Sequence, residues 1–420
     1  MVAAPFTVLM LAAAAPGAAA QVKGGIDVLE ASNFKAISGK KVCLITNQTG
    51  VDKSGRADVD VFAQAKAVTL ACLFSPEHGF SGGSEETKIE DGQLLVGGRK
   101  IPVYSLYKGG MAGMKPQSAQ LDGVDALVFD IQDIGARFYT YLATMAMGME
   151  AAKDKGIDFF VLDRPNPITG DIVEGPILED FATYRKSVPT GYFPVSVRHG
   201  MTAGEIAKMY AAELRYKRLH VVKLQGWSRG LWLDETGLPG WDGDKTRRPS
   251  PNIPDLNSAT LYPGLGIFET SNLSVGRGFE GSQFQIIGAP WLDAAQIVSI
   301  LKSSPQAGAD FISEDFTPGG NKDYPYFGQV CHGVRVKIAD RKQLRPLDVF
   351  VALARAIRRA HPDGGPGSKL EWRGGGAAIM TGIRDFEALY RADPDLKEIQ
   401  KRFDQGARDF KSYRAAFLLY

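Results

Sequence analysis

Between residues 40 and 163 short apolar runs alternate with polar loops and with stretches of helical spacing. Segments 42–46, 68–74, 103–106, 126–130 and 159–163 are rich in Val, Ile, Leu and Phe and bounded by turn formers, which predicts buried strands. The helical stretches between them predict a parallel sheet, because parallel neighbours need a crossover connection. Residues 139–155 carry Leu142, Met145, Met149 and Ala152 at helical spacing, and Gly156 stops the helix. The methionines there read as core packing. Thr202-x-x-Glu205 is a capping box that opens a helix over 203–214, with Ile206, Met209, Tyr210 and Leu214 on one face. A strand over 219–224 follows. Residues 226–263 are rich in Gly, Pro and Trp and show little periodicity, which predicts irregular structure. The second half mixes helices (294–301, 348–359, 396–413) with strands (284–287, 334–338), an α+β pattern.

Length and charge then narrow the class. A chain of 420 residues exceeds the roughly 250–300 that one core usually serves, so two domains are expected, with a cleft between them. The boundary falls at the start of the turn-rich stretch, giving 21–225 and 226–420. With 44% hydrophobic and 23% charged residues the chain is a packed globular protein, and 49 Lys+Arg against 47 Asp+Glu leaves no basic field for nucleic acid. Residues 1–20 contain no charged side chain and end in Gly17-Ala18-Ala19-Ala20, as a secretory signal peptide does; export with cleavage after Ala20 is expected. No other apolar stretch approaches the roughly 18 residues of a membrane span. Cys43, Cys72 and Cys331 are odd in number, widely spaced and flanked by apolar residues, which favours buried thiols over a disulfide framework, although Cys43 and Cys72 lie on neighbouring predicted strands.

The unusual residues follow the strands. Strand two runs into Ser75-Pro76-Glu77-His78-Gly79-Phe80, strand four into Asp130-Ile131-Gln132-Asp133-Ile134-Gly135-Ala136-Arg137, and strand five into Asp163-Arg164-Pro165-Asn166. In an open parallel sheet these carboxyl ends share one edge, so Glu77, Asp130, Asp133, Arg137, Asp163, Arg164 and Asn166 should converge. Several carboxylates at one edge suit glycoside hydrolysis, in which one carboxyl protonates the leaving oxygen and a second acts as nucleophile or activates water. Each aspartate also has a structural reading, as a helix cap or a partner of Arg137 or Arg164. A glutamate between Pro76 and His78-Gly79 has less of one. His78 and His199 show no close metal-binding spacing, and no metal is expected. Gly276-x-Gly278-x-x-Gly281 matches the dinucleotide pattern formally, but it precedes an apparent strand rather than a helix, so no cofactor is implied.

Taken together, Ser75–Phe80, Phe129–Tyr141, Asp163-Arg-Pro-Asn-Pro167, Val173-Glu-Gly-Pro176, Arg198-His-Gly-Met-Thr202, Ser250-Pro-Asn-Ile-Pro254 and Gly288-Ala-Pro-Trp291 resemble the signatures of NamZ-type exo-β-N-acetylmuramidases. The resemblance implies a Rossmann-like N-terminal domain, a smaller α+β C-terminal domain and an active-site cleft between them. It implies removal of terminal N-acetylmuramic acid from non-reducing ends of peptidoglycan fragments, in a secreted or periplasmic setting. By motif, Glu77 is the first choice for general acid, and Asp130, Asp133 and Glu174 compete for the second role. His78, Gln132, Arg137, Tyr139, Arg164, Asn166, Arg198, His199, Asn272 and Arg277 are carried over as substrate contacts. Val275, Phe279 and Gln283 stand where the pattern has Glu, Thr and Pro, and Ser81 stands where an Arg often follows.

N-acetylmuramic acid differs from N-acetylglucosamine by a lactyl ether bearing a carboxylate, so discrimination needs a cation, preferably a bidentate arginine. Arg137, Arg164, Arg198 and Arg277 all lie in the motifs, and Arg277 is favoured because the second domain would close over the terminal sugar. Tyr139, Tyr141 and Tyr262 are candidates for stacking on a sugar face. The reading from another class is a periplasmic sugar- or muropeptide-binding protein that uses the same cleft without chemistry.

Overall fold

The computed structural model describes residues 22–86, 88–185, 187–362 and 370–420. The expected signal segment 1–20 lies outside them. Strands β1 (Lys41–Thr46), β2 (Thr69–Ser75), β3 (Gly92–Val96), β4 (Arg99–Ser105), β5 (Ala126–Asp130), β6 (Asp158–Leu162) and β7 (Leu219–Val222) form one sheet in the order β3-β4-β2-β1-β5-β6-β7. All pairings are parallel except β3 with β4. Every residue of β5 and β6 is buried, as helices on both faces require. From β1 the chain moves outward to β2 and β4, then returns to β5 on the other side of β1. The order therefore reverses at β1/β5, where the carboxyl ends open a crevice.

Strands β8 (Ile286–Ala289), β9 (Ala309–Phe316) and β10 (Cys331–Ile338) make a smaller antiparallel sheet in the order β8-β10-β9. Helices Ala294–Lys302 and Pro346–Ala360 accompany it. One apolar core runs from Ile45 and Phe129 through Tyr141 and Leu261 to Ile297 and Phe350, so the two sheets are joined by packed side chains. The fold is α/β with a smaller antiparallel unit.

Three elements depart from expectation for physical reasons. Strands β3 and β4 form a hairpin through Gly97 and Gly98, both at positive φ; the expected strand 103–106 is the end of β4, and exposed positions in β3 and at the start of β4 mask the rest. Strand β9 alternates exposed and buried residues for the same reason. The stretch expected to be irregular contains the helix Leu256–Leu265, capped by Asp255, whose carboxylate accepts from the Ser258 N–H at 2.7 Å. Nine of its residues are buried all round, so no amphipathic period marks it.

The reading of the cysteines needs correction. Cys43 and Cys72 face each other across β1 and β2 with Cα atoms 4.7 Å apart and form a disulfide; Cys331 is free and buried. Adjacent parallel strands placed the two thiols within bonding reach, which wide sequence spacing concealed.

The last residue ties the sheet edge to the end of the chain. The Tyr420 hydroxyl donates to Asp163 at 2.7 Å and accepts from the Leu224 N–H at 2.8 Å. Asp163 also accepts from the Thr202 hydroxyl and the Gly204 N–H, yet burial pushes its carboxyl up to about 6. A raised acid contributes stability that is fully present below its unfolded value near 3.8 and is lost as pH rises through about 6. Tyr420→Phe removes a donor to the ionised form, so we expect a loss of about 1–3 kcal/mol in urea unfolding, larger at about pH 8 than at about pH 5. An equal loss at both would contradict this.

Candidate active site

Glu77 follows β2 in a turn closed by Gly79 N–H to Pro76 C=O at 3.0 Å. His78 takes φ 69°, a left-handed conformation uncommon outside glycine, and its Nδ1 lies 2.8 Å from the Ser84 carbonyl. This turn presents the Glu77 side chain rather than burying it. The Thr140 hydroxyl donates to Glu77 Oε2 at 2.5 Å, and the Tyr107 hydroxyl also bonds to Glu77. Burial and the charge of Glu77 push the Tyr107 hydroxyl up. Two hydroxyls from the ends of other elements thus orient one carboxyl.

The second sheet's unit supplies the opposing charges. Glu269 sits on the short 3-10 turn Gly266–Thr270, and Arg277 Nη1 donates to its Oε1 at 3.0 Å. The Arg277 guanidinium lies 4.4 Å from the Tyr324 ring centroid and 3.8 Å from Glu85. Tyr324 donates to Glu85, and Asn252 Nδ2 donates to the same carboxylate at 2.8 Å. Burial raises Glu269 above the ordinary glutamate value; Arg277 opposes this and Glu77 adds to it. Tyr262 lies at the centre: burial, Glu269, Glu77 and Asp133 push its hydroxyl up, while Arg277 pulls it down. The charges of Glu77, Asp133, Glu269 and Arg277 are therefore all felt at one tyrosine.

The loop carrying Arg277 explains the formal glycine pattern. Gly276 and Gly278 adopt φ 76° and 77°, and a Cβ at either would collide with the backbone of Ser282 or Gly319. The glycines let two loops approach. They do not open a helix, so they bind no pyrophosphate by that route.

Asp133 is nine-tenths buried. Its Oδ2 accepts from the Gly135 N–H at 2.7 Å and lies 3.5 Å from His199 Nε2, while Oδ1 has no partner. His199 is fully buried and its Nδ1 accepts from the Met201 N–H at 3.1 Å, which places the ring proton on Nε2, toward Asp133. His199 is thus a support for Asp133 rather than a sugar contact. The Tyr139 ring packs 4.8 Å from Tyr141 and 6.1 Å from Tyr262, measured between centroids.

The other expected site residues lie elsewhere. Asp130 is fully buried and accepts from Arg164 Nε at 2.6 Å, with Arg164 also donating to Val51 C=O. Asp58 stands beside that pair; burial and Asp130 push its carboxyl well up. Glu174 and Arg198 form a second buried ion pair at 2.9 Å. Arg137 donates only to the carbonyls of Pro176, Val195, Ile379 and Met380. Gln132 spans the Asp133 and Pro165 carbonyls, Asn166 donates to Met201 C=O and accepts from Ile168 N–H, and Tyr141 donates to Pro249 C=O. Asn272 pairs with Glu371 through its backbone N–H and its Oδ1. These side chains build the loops. Sequence reasoning missed Glu269, Glu85, Tyr324, Thr140 and Tyr107. The adjacency of Glu269 to the segment carrying Asn272 and Arg277 was the one available signal.

Among the described residues no cluster of His, Cys, Asp and Glu could hold a metal ion, and no helix is long and apolar enough to cross a membrane.

The family model described as exo-beta-N-acetylmuramidase NamZ, N-terminal, matches residues 42–257, and the corresponding C-terminal model matches residues 260–420. The chain is 36% identical over 408 residues to the peptidoglycan beta-N-acetylmuramidase NamZ of Bacillus subtilis (strain 168), covering 95% of this chain and 92% of that protein. Two crystal structures of DUF1343 family proteins from Bacteroides fragilis NCTC 9343 are also similar. One has 30% identity and a TM-score of 0.83 over 96% of this chain and 99% of the other. The second has 26% identity and a TM-score of 0.70 over 95% and 99%.

Proposed function

The chain belongs to the NamZ family of exo-β-N-acetylmuramidases, and on that premise we propose that its cleft hydrolyses the β-glycosidic bond of a terminal N-acetylmuramic acid on peptidoglycan fragments, with Glu77 as general acid. The supporting observation is the meeting of Glu77, from the edge of the parallel sheet, with Asp133 and the Glu269–Arg277 pair around Tyr262.

In this reading Glu77, oriented by Thr140 and Tyr107, gives its proton to the glycosidic oxygen as the C1–O bond breaks. Asp133 supplies the second carboxylate, since among the described residues its ionic neighbour is His199, while Asp130 and Glu174 are each held by a buried arginine. Water is the only co-reactant. Of the four arginines weighed for the lactyl carboxylate, Arg277 is the one whose guanidinium is partly open, about a third exposed and stacked on Tyr324. Arg137, Arg164 and Arg198 are spent on buried carbonyls and carboxylates. Export through residues 1–20 completes the proposal by placing the enzyme where wall fragments are found.

Oligosaccharides of alternating sugars, capped at the non-reducing end by either N-acetylmuramic acid or N-acetylglucosamine, test the reading. Free N-acetylmuramic acid should appear from the first set and nothing from the second; internal cleavage of either would contradict exo action. Arg277→Ala should lower kcat/KM on a synthetic β-muramide by roughly 10–100-fold relative to the matching β-glucosaminide. An unchanged preference would remove Arg277 from lactyl recognition.

A further inference from the structure

Two carboxyls share a single guanidinium, and the charge of a third acts on one of them. Arg277 is bonded to Glu269 at 3.0 Å, lies 3.8 Å from Glu85, and Glu269 in turn feels the charge of Glu77. Glu85 has two further donors, Tyr324 and Asn252, whereas Glu269 has Arg277 as its charged partner. Glu269 is only about a quarter exposed. The groups facing it are Arg277 from the following loop, Glu77 from the first sheet's edge and the Tyr262 hydroxyl from the helix Leu256–Leu265. Glu371 and Arg373 flank Trp372, which bridges to Ser271 beside the turn.

A lactyl carboxylate drawn to Arg277 adds a third negative charge beside one cation. Like charges at such range cannot all stay ionised, and the group that yields is the one least solvated and most dependent on the shared arginine. We infer that Glu269 is a specificity-determining residue: it is the counter-ion of Arg277 until a lactyl carboxylate replaces it, and it takes up one proton from solvent in that exchange. The Glu269 carboxylate becomes a neutral acid, the guanidinium turns to the substrate carboxylate, and the net charge of the cluster is unchanged. When the sugar leaves, Glu269 returns the proton and recovers Arg277. A glucosaminyl residue brings no carboxylate, leaves Glu269 ionised and draws no proton. Recognition of the lactyl group is thereby coupled to the protonation state of the carboxyl facing Glu77. The inference rests on the reading of Arg277 given above, and it goes beyond it by naming the group that pays the electrostatic cost.

Calorimetric titration of the full chain with N-acetylmuramic acid, in buffers of different ionisation enthalpy between about pH 6 and pH 8, measures the protons taken up. Wild type should take up close to one proton per sugar bound, and its Kd should tighten roughly tenfold per unit fall in pH above the Glu269 value. N-acetylglucosamine should show neither effect. Glu269→Gln should bind N-acetylmuramic acid with no proton uptake and no pH dependence. Glu77→Gln and Glu85→Gln should still take up the proton, which assigns it to Glu269 even if the Glu269 variant does not fold. Wild-type binding without uptake, or uptake surviving in Glu269→Gln, overturns the inference while leaving Arg277 as the lactyl contact. Retained preference for N-acetylmuramic acid in Arg277→Ala overturns the underlying reading, and the inference falls with it.

Discussion

Glu77→Gln is expected to lower kcat on a natural sugar leaving group by roughly 10²–10⁴-fold, with little change in KM. The amide keeps the size of the side chain and can still accept from the Thr140 hydroxyl, so the turn over Pro76–Gly79 should persist. What it lacks is a proton to give. The loss should shrink on an aryl muramide whose phenolate departs without protonation, because the acid contributes least where the leaving group is already stable. Steady-state kinetics on both substrates separate this from misfolding, which would reduce both rates equally. Near-normal turnover of the natural substrate would take the general-acid role from Glu77.

The second large effect concerns stability. Arg198→Met should destabilise the fold by about 3–5 kcal/mol, because it leaves the Glu174 carboxylate buried without its cation. The pair does more than neutralise charge. Glu174 and Arg198 exchange both backbone hydrogen bonds at 3.0 Å, Arg198 Nη2 donates to Ile168 C=O, and Glu174 Oε1 accepts from Leu347 N–H at the start of the helix Pro346–Ala360. Loops of the first unit are therefore pinned to a helix of the second. Denaturant unfolding of Arg198→Met measures the loss, and the folded fraction of Glu174→Gln at low temperature should retain most of wild-type kcat. A stable Glu174 variant without activity would return Glu174 to the reaction.

These two glutamates show how much of the site was legible. Glu77 stands out because Pro76 and Gly79 fix a turn in which propensity gives a glutamate no structural task. Glu174 also sits in a motif beside Gly and Pro, but only folding reveals that Arg198 lies opposite it on an antiparallel bridge. Among the arginines, sequence favours Arg277 over Arg137, Arg164 and Arg198 on domain grounds alone, and burial then separates them. Glu269 was out of reach because it sits on a 3-10 turn after a helix without periodicity, and it meets Glu77 only through the packing of the second unit. In the fold, the strands buried on both faces were visible as apolar runs. Edge strand β3, the start of β4 and strand β9 were not, since their exposed positions break the apolar run and their pairing is a tertiary choice.

The chain hydrolyses a terminal muramide. Incubation of the purified protein with a synthetic β-muramide and the matching β-glucosaminide, with free sugar measured by mass spectrometry, tests it most directly. Wild type should release N-acetylmuramic acid with turnover and leave the glucosaminide largely intact, and Glu77→Gln should release almost none from a natural leaving group. Tight binding of the muramide by the folded wild-type chain without any release of free sugar would contradict the claim.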